Sequence, residues 1–461
     1  MSSKFRVASL LLGAVMCGSA LGAVTADEAK ELNGPTLTPW GAEKAGSKDG
    51  MIPAWTGEPL KVPADYDPQE PMRYPSPFKD EKPLYTITAQ NMAQYADKMT
   101  EAQKLMMRKY PSFRMNVYPS HRVANYPKFV LDNTMKNATA CTTVNHELVL
   151  KGCYGGLPFP IPKTGYEVMW NHLTRFTMPG WHMVAPGYLV PADGDPILTS
   201  VNDIHEALPF YHPVRSTPVD DKSLYWVIRF DQTAPARVVG SKYLMLDALD
   251  SLNIGRRSYS YLPGQRRVKL SPDLAYDTPN PTSGGVSTMD QSGIFTGAMD
   301  RYDIKLVGKQ EKYIMYNNYE LNDYKVCSAE KLLTKNYPNP DCIRWEPHRV
   351  WVLQLTLKSD YRHIMPKRTI YLDEDTYGAG ASDDYDASGH LYRATQMPYI
   401  RVYNKNGGVG NLADCTHEYD FQSGSYHNTC VVRRKGDGAE EEAPKSMTFF
   451  SPDALAGEGI R

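Results

Sequence analysis

Seven cysteines occur in the 461 residues, and six of them, Cys141, Cys153, Cys327, Cys342, Cys415 and Cys430, fall into three local couples. The separations are 12, 15 and 15 residues. An even count at such spacing in an exported chain reads as three disulfides, each closing one loop. Loops of this size restrict the unfolded chain by about 3 kcal/mol apiece. A zinc knuckle needs thiols two to four residues apart, and no histidine pair stands nearby at ligand spacing, so no metal is expected.

Two charged clusters offer other chemistry. Asp373, Asp375, Asp383, Asp384 and Asp386 carry enough oxygens for calcium, but no complete calcium loop surrounds them, and the expectation is a solvated turn. Arg256, Arg257, Arg266 and Arg267 form the densest basic group, suited to an anionic head group or a partner's acidic patch. His172 sits on an apolar stripe and reads as a satisfied core histidine. Glu440, Glu441 and Glu442 read as a solubilising run. The chain contains no Gly-x-Ser-x-Gly elbow, phosphate loop, His-Glu-x-x-His or Cys-x-x-Cys, so neither an enzyme nor a bound cofactor is expected.

The elements that position these groups begin after residue 22. Lys4 and Arg6 precede an apolar run over residues 7–15, with Ala20 and Gly22 at the positions a signal peptidase requires. The run is too short to span a bilayer. Residues 1–22 thus read as a signal peptide, and Met16 before Cys17 argues against a lipid anchor. Its removal takes two of the 51 basic side chains and none of the 52 acidic ones. That near-neutral balance argues against nucleic acid as a partner.

Residues 23–140 form a proline-rich arm and a helical segment expected to pack on the body. Trp40, Met51, Ile52, Trp55 and Tyr66 are its apolar anchors. Residues 88–109 lack Pro and Gly, and Thr100 with Gln103 has capping-box spacing, which predicts a helix there; residues 165–176 predict a second.

Residues 141–461 turn mainly to strands. Leu224, Trp226, Ile228 and Phe230 alternate with Tyr225, Val227, Arg229 and Asp231, residues 258–262 and 266–270 flank a Pro263-Gly264-Gln265 turn, and residues 304–307 and 312–319 follow. Arg349, Trp351, Leu353, Leu355 and Leu357 lie on one side of a strand whose oily face returns along residues 367–373. Residues 389–396, 399–403 and 427–434 add more strands, and Ser451 caps a short last helix. The class predicted is mainly β with a few helices, as one large curved antiparallel sheet or a half-open barrel. With 31 Tyr against 12 Phe, the walls of such a sheet suit a rim that meets water. Strand parity nominates Trp226, Ile228, Tyr259, Tyr261, Trp351, Leu353, Leu355 and Tyr371 as pocket lining.

Three segments, LTPWGAEKAGSKDGMIPAWTGE (residues 37–58), YLPGQRRV (residues 261–268) and WEPHRVWVLQLTLKSDYRHIMPKRTIYLDEDTY (residues 345–377), closely resemble a family of exported proteobacterial proteins related to the outer-membrane lipoprotein-sorting proteins. The resemblance implies a half-open barrel of the periplasmic lipoprotein-carrier type with a helical lid. It also implies work beside an inner-membrane exporter and an outer-membrane barrel protein. The leading expectation is a periplasmic carrier for a lipid or other hydrophobic solute. An interaction scaffold bridging the two membranes is the alternative, and an exported hydrolase with convergent catalytic groups is a third.

Overall fold

The computed structural model describes residues 23–413 and 415–457. The expected signal peptide, with Cys17, lies outside them. Strands take 32% of the chain and helices 14%, so the class is mainly β.

Short strands β1 (Tyr85–Ile87) and β2 (Met115–Val117) pair with each other, while β3 (Thr142–Val144) and β4 (Val149–Lys151) make a separate hairpin. A six-stranded antiparallel meander follows: β5 (Gly180–Val190), β6 (Ile197–Ala207), β7 (Leu224–Ala234), β8 (Lys242–Ala248), β9 (Arg256–Leu262) and β10 (Arg267–Leu270). A second comprises β11 (Tyr302–Met315), β12 (Trp345–Leu357), β13 (Lys367–Asp373), β14 (Gly380–Tyr385) and β15 (Leu391–Met397). The hairpin of β16 (Ile400–Asn404) and β17 (Gly407–Leu412) stands apart. Then β18 (His417–Asp420) and β19 (Ser425–Asn428) bridge β15 to β5, joining the meanders into one sheet that is not closed into a barrel. The last strand, β20 (Gly438–Glu441), shares one edge of β5 with β19: β20 takes residues 181–184 and β19 takes residues 188–190.

Several local expectations need correction. The helix read over residues 88–109 exists only as α2 (Glu101–Lys109), preceded by two single 3-10 turns. Thr100 and Gln103 do form the reciprocal capping box, and that cap starts the helix where the 3-10 turns end. The strand read as two pieces around residue 308 is continuous in β11, with a bulge between Leu306 and Gly308 that Gly308 meets at φ 126°. In β12 the oily face is not alone, because Val350 and Val352 on the other face are also buried.

Two helices complete the core. In α3 (Lys128–Ala140), unpredicted from its polar composition, Asn133, Thr134 and Asn137 are buried and bond the chain at residues 154–157. In α4 (Gly165–Leu173), Val168, Met169 and Trp170 pack into the same core as Leu353, Leu355 and Tyr371. His172 is there too, its ring nitrogens 2.7 Å from the carbonyl of Tyr377 and 3.1 Å from that of Phe295, and burial lowers its pKa to about 3, so its single N–H serves one of the two. It is a neutral core histidine.

The acidic cluster is not a solvated turn. Asp373, Asp375, Asp383 and Asp384, with Glu374 between the first two, are all at most 2% exposed; Asp386 alone of the five sits in a turn, accepting from the amides of Ser388 and His390. Arg122 forks onto Asp375 with two bonds of 2.8 Å, Arg349 bonds Glu374 at 2.7 Å, and Arg368 bonds Asp384 at 2.8 Å and Asp290 at 3.2 Å. Asp383 accepts from the first backbone amides of α2, at Glu101 and Ala102, and from Tyr371; burial still raises its pKa to about 6. These cations come from residues scattered between 122 and 368. Arg122 and Arg349 also hold the carbonyls of Glu43 and Ala45, which fixes the proline-rich arm to the sheet.

The arm's Trp40 is 1% exposed and meets Trp55 and Tyr126 edge-on at 5.3 and 5.1 Å. All three expected disulfides form: Cys141–Cys153, Cys327–Cys342 and Cys415–Cys430. At the other end, Ser451 Oγ accepts from Ala454 N to start α6 (Pro452–Gly457), whose Leu455 joins Phe450 over Val227, Leu244, Leu246 and Tyr261. Among the described residues, no helix is long and apolar enough to cross a membrane.

Candidate ligand-binding site

Strands β5 to β8 alternate strictly where they border open space. Trp181, Met183 and Ala185 from β5, Ile204 and Glu206 from β6, Trp226, Ile228 and Phe230 from β7, and Tyr243, Met245 and Asp247 from β8 all point to one face. Over them lie Leu173, Arg175 and Thr177, after α4, and an irregular loop that places Leu274, Met289 and Phe295 on the opposite wall. The enclosed volume is about 180 Å³. Its floor is aliphatic and thioether, and its rim is indole and carboxylate.

The rim has a definite construction. Glu206, buried, accepts from Trp181 Nε1 at 2.8 Å through one oxygen and from Trp226 Nε1 at 2.7 Å through the other. Both indoles are thereby held flat against the wall. Next to them Arg256 forks onto Asp247 with two bonds of 2.7 Å, reaches Thr296 Oγ1 at 2.6 Å, and lies 5.6 Å from the centre of the Trp226 ring. Burial works against the Arg256 charge, yet Asp247 outweighs it and holds the pKa above the ordinary arginine value. Thr177 Oγ1 and Asn202 Oδ1 are buried lining atoms with no hydrogen-bond partner. They offer polar contacts that the fold itself leaves unused.

A second, wider depression of about 1010 Å³ lies between the β3–β4 hairpin and Asp221, Asp250, Asp303 and Lys358. It is more open, and Glu147 with the three aspartates lines it beside Val144, Val149 and Tyr166. The cavity over β5 to β8 is the better candidate for an apolar solute.

Of the residues nominated from parity, Trp226 and Ile228 line this cavity. Tyr261 is buried on the opposite face of the meander with Tyr259 beside it, under Phe450 and Leu455. Leu353 and Leu355 are buried with Trp351 against them, but α4 already fills the space in front, and Tyr371, on the other face of the sheet, bonds Asp383 at the start of α2, so all are core and not lining. Of the four arginines, Arg256 is spent on Asp247, and Arg257, Arg266 and Arg267 are exposed outside the lining. Sequence reasoning missed the walls contributed by β5 and β6. The signal available was the every-second spacing of Trp181, Met183 and Ala185 and of Ile204 and Glu206, which Pro186, Gly187 and the inward Asn202 interrupt.

An open, mainly β sheet with a half-enclosed apolar cavity on one meander places the chain in a class of cavity-bearing sheet proteins. Comparison with known families is more specific. Residues 86–456 match the family described as "Protein of unknown function (DUF1329)", and the chain belongs to that family. An uncharacterised protein of Pseudomonas aeruginosa is 35% identical over 446 residues, 96% of this chain and 95% of its own. Among solved structures, a Vibrio parahaemolyticus domain assigned as an outer membrane lipoprotein-sorting protein covers 63% of this chain and 97% of its own, at 13% identity and TM-score 0.42. A DUF1329 family protein from Desulfovibrio piger covers 63% and 97%, at 15% identity and TM-score 0.40.

Proposed function

We propose that this protein is a non-catalytic periplasmic carrier that holds the apolar part of a lipid or similar solute over β5 to β8. The observation that carries this reading is the cavity itself. Met183, Ala185, Ile204, Ile228 and Met245 pack in one apolar cluster, yet all five also border open space. Exposed apolar area costs about 25 cal/mol per Å², so such a surface favours a guest. The Glu206-braced indoles and the unused Thr177 Oγ1 and Asn202 Oδ1, all within the lining, suit a mainly apolar guest that also carries a polar group. Three disulfides support an oxidising compartment. The motif resemblance adds an inner-membrane exporter and an outer-membrane barrel protein as expected partners.

The test is native mass spectrometry of the protein recovered from the periplasm, followed by organic extraction. A stoichiometric lipid or apolar solute is expected. A bare protein that also takes up no fatty acid or lipid would sink the carrier reading in favour of a bridging scaffold, for which the modest 180 Å³ of open volume is the relevant observation.

A further inference from the structure

The reverse face of the cavity wall carries a second cluster. Because side chains alternate along a strand, the residues between the lining positions of β5 and β6 point away from the cavity: His182 on β5, and Asp203 and His205 on β6. Register puts His182 directly opposite His205 on one side and opposite Glu440 of β20 on the other. The two imidazoles stack with centroids 4.7 Å apart. Both direct Nε2 at the same oxygen, Asp203 Oδ1, at 2.8 Å from His182 and 3.6 Å from His205.

We infer that His182, His205 and Asp203 form a zinc site on the outer face of the sheet, with Glu440 and Glu442 orienting its histidines. A tetrahedral ion with bonds of about 2.0–2.1 Å spaces its donors by about 3.4 Å, and the two observed separations bracket that value. All three donor atoms lie within 4.8 Å of one another. Two imidazole nitrogens and one carboxylate leave the fourth position for water.

The outer nitrogens supply an independent argument. A metal-bound histidine characteristically donates its other ring N–H to a carboxylate, which fixes the tautomer and aims the lone pair. Here His205 Nδ1 bonds Glu442 at 2.7 Å, and His182 Nδ1 faces Glu440 at 3.5 Å. Lys445 pairs with the other oxygen of Glu442 and holds it in place. Each histidine therefore has an inner nitrogen converging on one point and an outer nitrogen facing an acid. The side chains remain 19–41% exposed, so an ion can reach them. Local sequence patterns conceal this site because His182 and its partners Asp203 and His205 are more than 20 residues apart and the acids arrive from the C-terminal strand.

An ion there would tie β20 to the two strands that wall the cavity. The experiment is isothermal titration of ZnCl2 into tag-free, chelator-stripped mature protein, with metal content measured after dialysis and circular dichroism confirming the fold of each variant. One zinc per chain is expected, with a raised Tm. His182→Asn/His205→Asn together should weaken binding more than 100-fold. Glu442→Gln should weaken it about 10–100-fold without changing the metal-free Tm. Co2+ in place of zinc should give the visible spectrum of a four-coordinate site. No saturable zinc, or unchanged affinity in the double variant, would overturn the assignment. Unchanged affinity in Glu442→Gln would overturn the orienting role.

Discussion

The carrier reading makes a quantitative demand on chain length. A cavity of 150 Å³ accommodates benzene, so about 180 Å³ accommodates roughly seven carbons. Each methylene moved from water into such a site gains about 0.8 kcal/mol, which is about fourfold in affinity at 1.36 kcal/mol per decade. A series of straight-chain alcohols from four to twelve carbons should therefore tighten about fourfold per carbon. The gain from four to seven carbons is about 60-fold, and the curve should flatten beyond roughly seven or eight. Titration calorimetry measures this directly, and the fluorescence of Trp181 and Trp226 at the rim gives a second readout. Ala185→Leu, which adds three carbons to the lining, should bring the plateau in by about three. Affinity independent of length would refute the apolar-cavity argument. A slope running unbroken to twelve carbons would refute the size limit read from the structure.

Two further predictions concern the buried charges. His348 is 1% exposed and lies 3.0 Å from Glu346 and 3.6 Å from Asp373; burial opposes its charge, but the two carboxylates outweigh it and raise the pKa to about 9. A pKa raised on folding stabilises fully below the ordinary 6.5 and is lost as pH climbs through about 9, here worth about 3 kcal/mol. Urea midpoints should fall between pH 7 and 9.5, and His348→Gln should flatten that decline; parallel curves for the two proteins would contradict the assignment. Arg368→Leu strands Asp384 and Asp290 in the interior and should cost about 3–5 kcal/mol of unfolding free energy by urea denaturation. A loss under 1 kcal/mol would mean the two acids find other partners.

How far the sequence carries depends on whether the decisive contact is local. The period-two pattern of Leu353 and Leu355, the Thr100–Gln103 cap and the three cysteine couples are local features, and the β12–β13 hairpin, the start of α2 and the disulfides follow from them. The acid cluster at 373–384 could not be read correctly from its own neighbourhood, because beside the local Arg368–Asp384 pair across β13 and β14 it is Arg122 and Arg349, arriving from elsewhere, that make it an interior network. The site was half legible for the same reason. Parity found Trp226 and Ile228 on β7, but whether a buried apolar residue faces a cavity or a helix depends on what lies in front of it, and α4 stands before Leu353 and Leu355. The walls from β5 and β6 carry Glu206 and Asn202 inward, and inward polar groups erase the alternation that marks a strand.

The shared edge of β5 also sets a timetable. That strand begins at residue 180, yet the two segments that cover its free edge end at residues 428 and 441. A chain emerging from the ribosome can pair β5 with β6 at once but holds its other edge unpaired for well over 200 residues of synthesis. The meander that walls the cavity cannot be sealed until nearly the whole polypeptide is made, so assembly is a post-synthetic event. Exposed edges of this kind recruit other chains. Loss of as little as the last 24 residues, which include β20, would leave β5 half covered and turn a cavity wall into a sticking point between molecules.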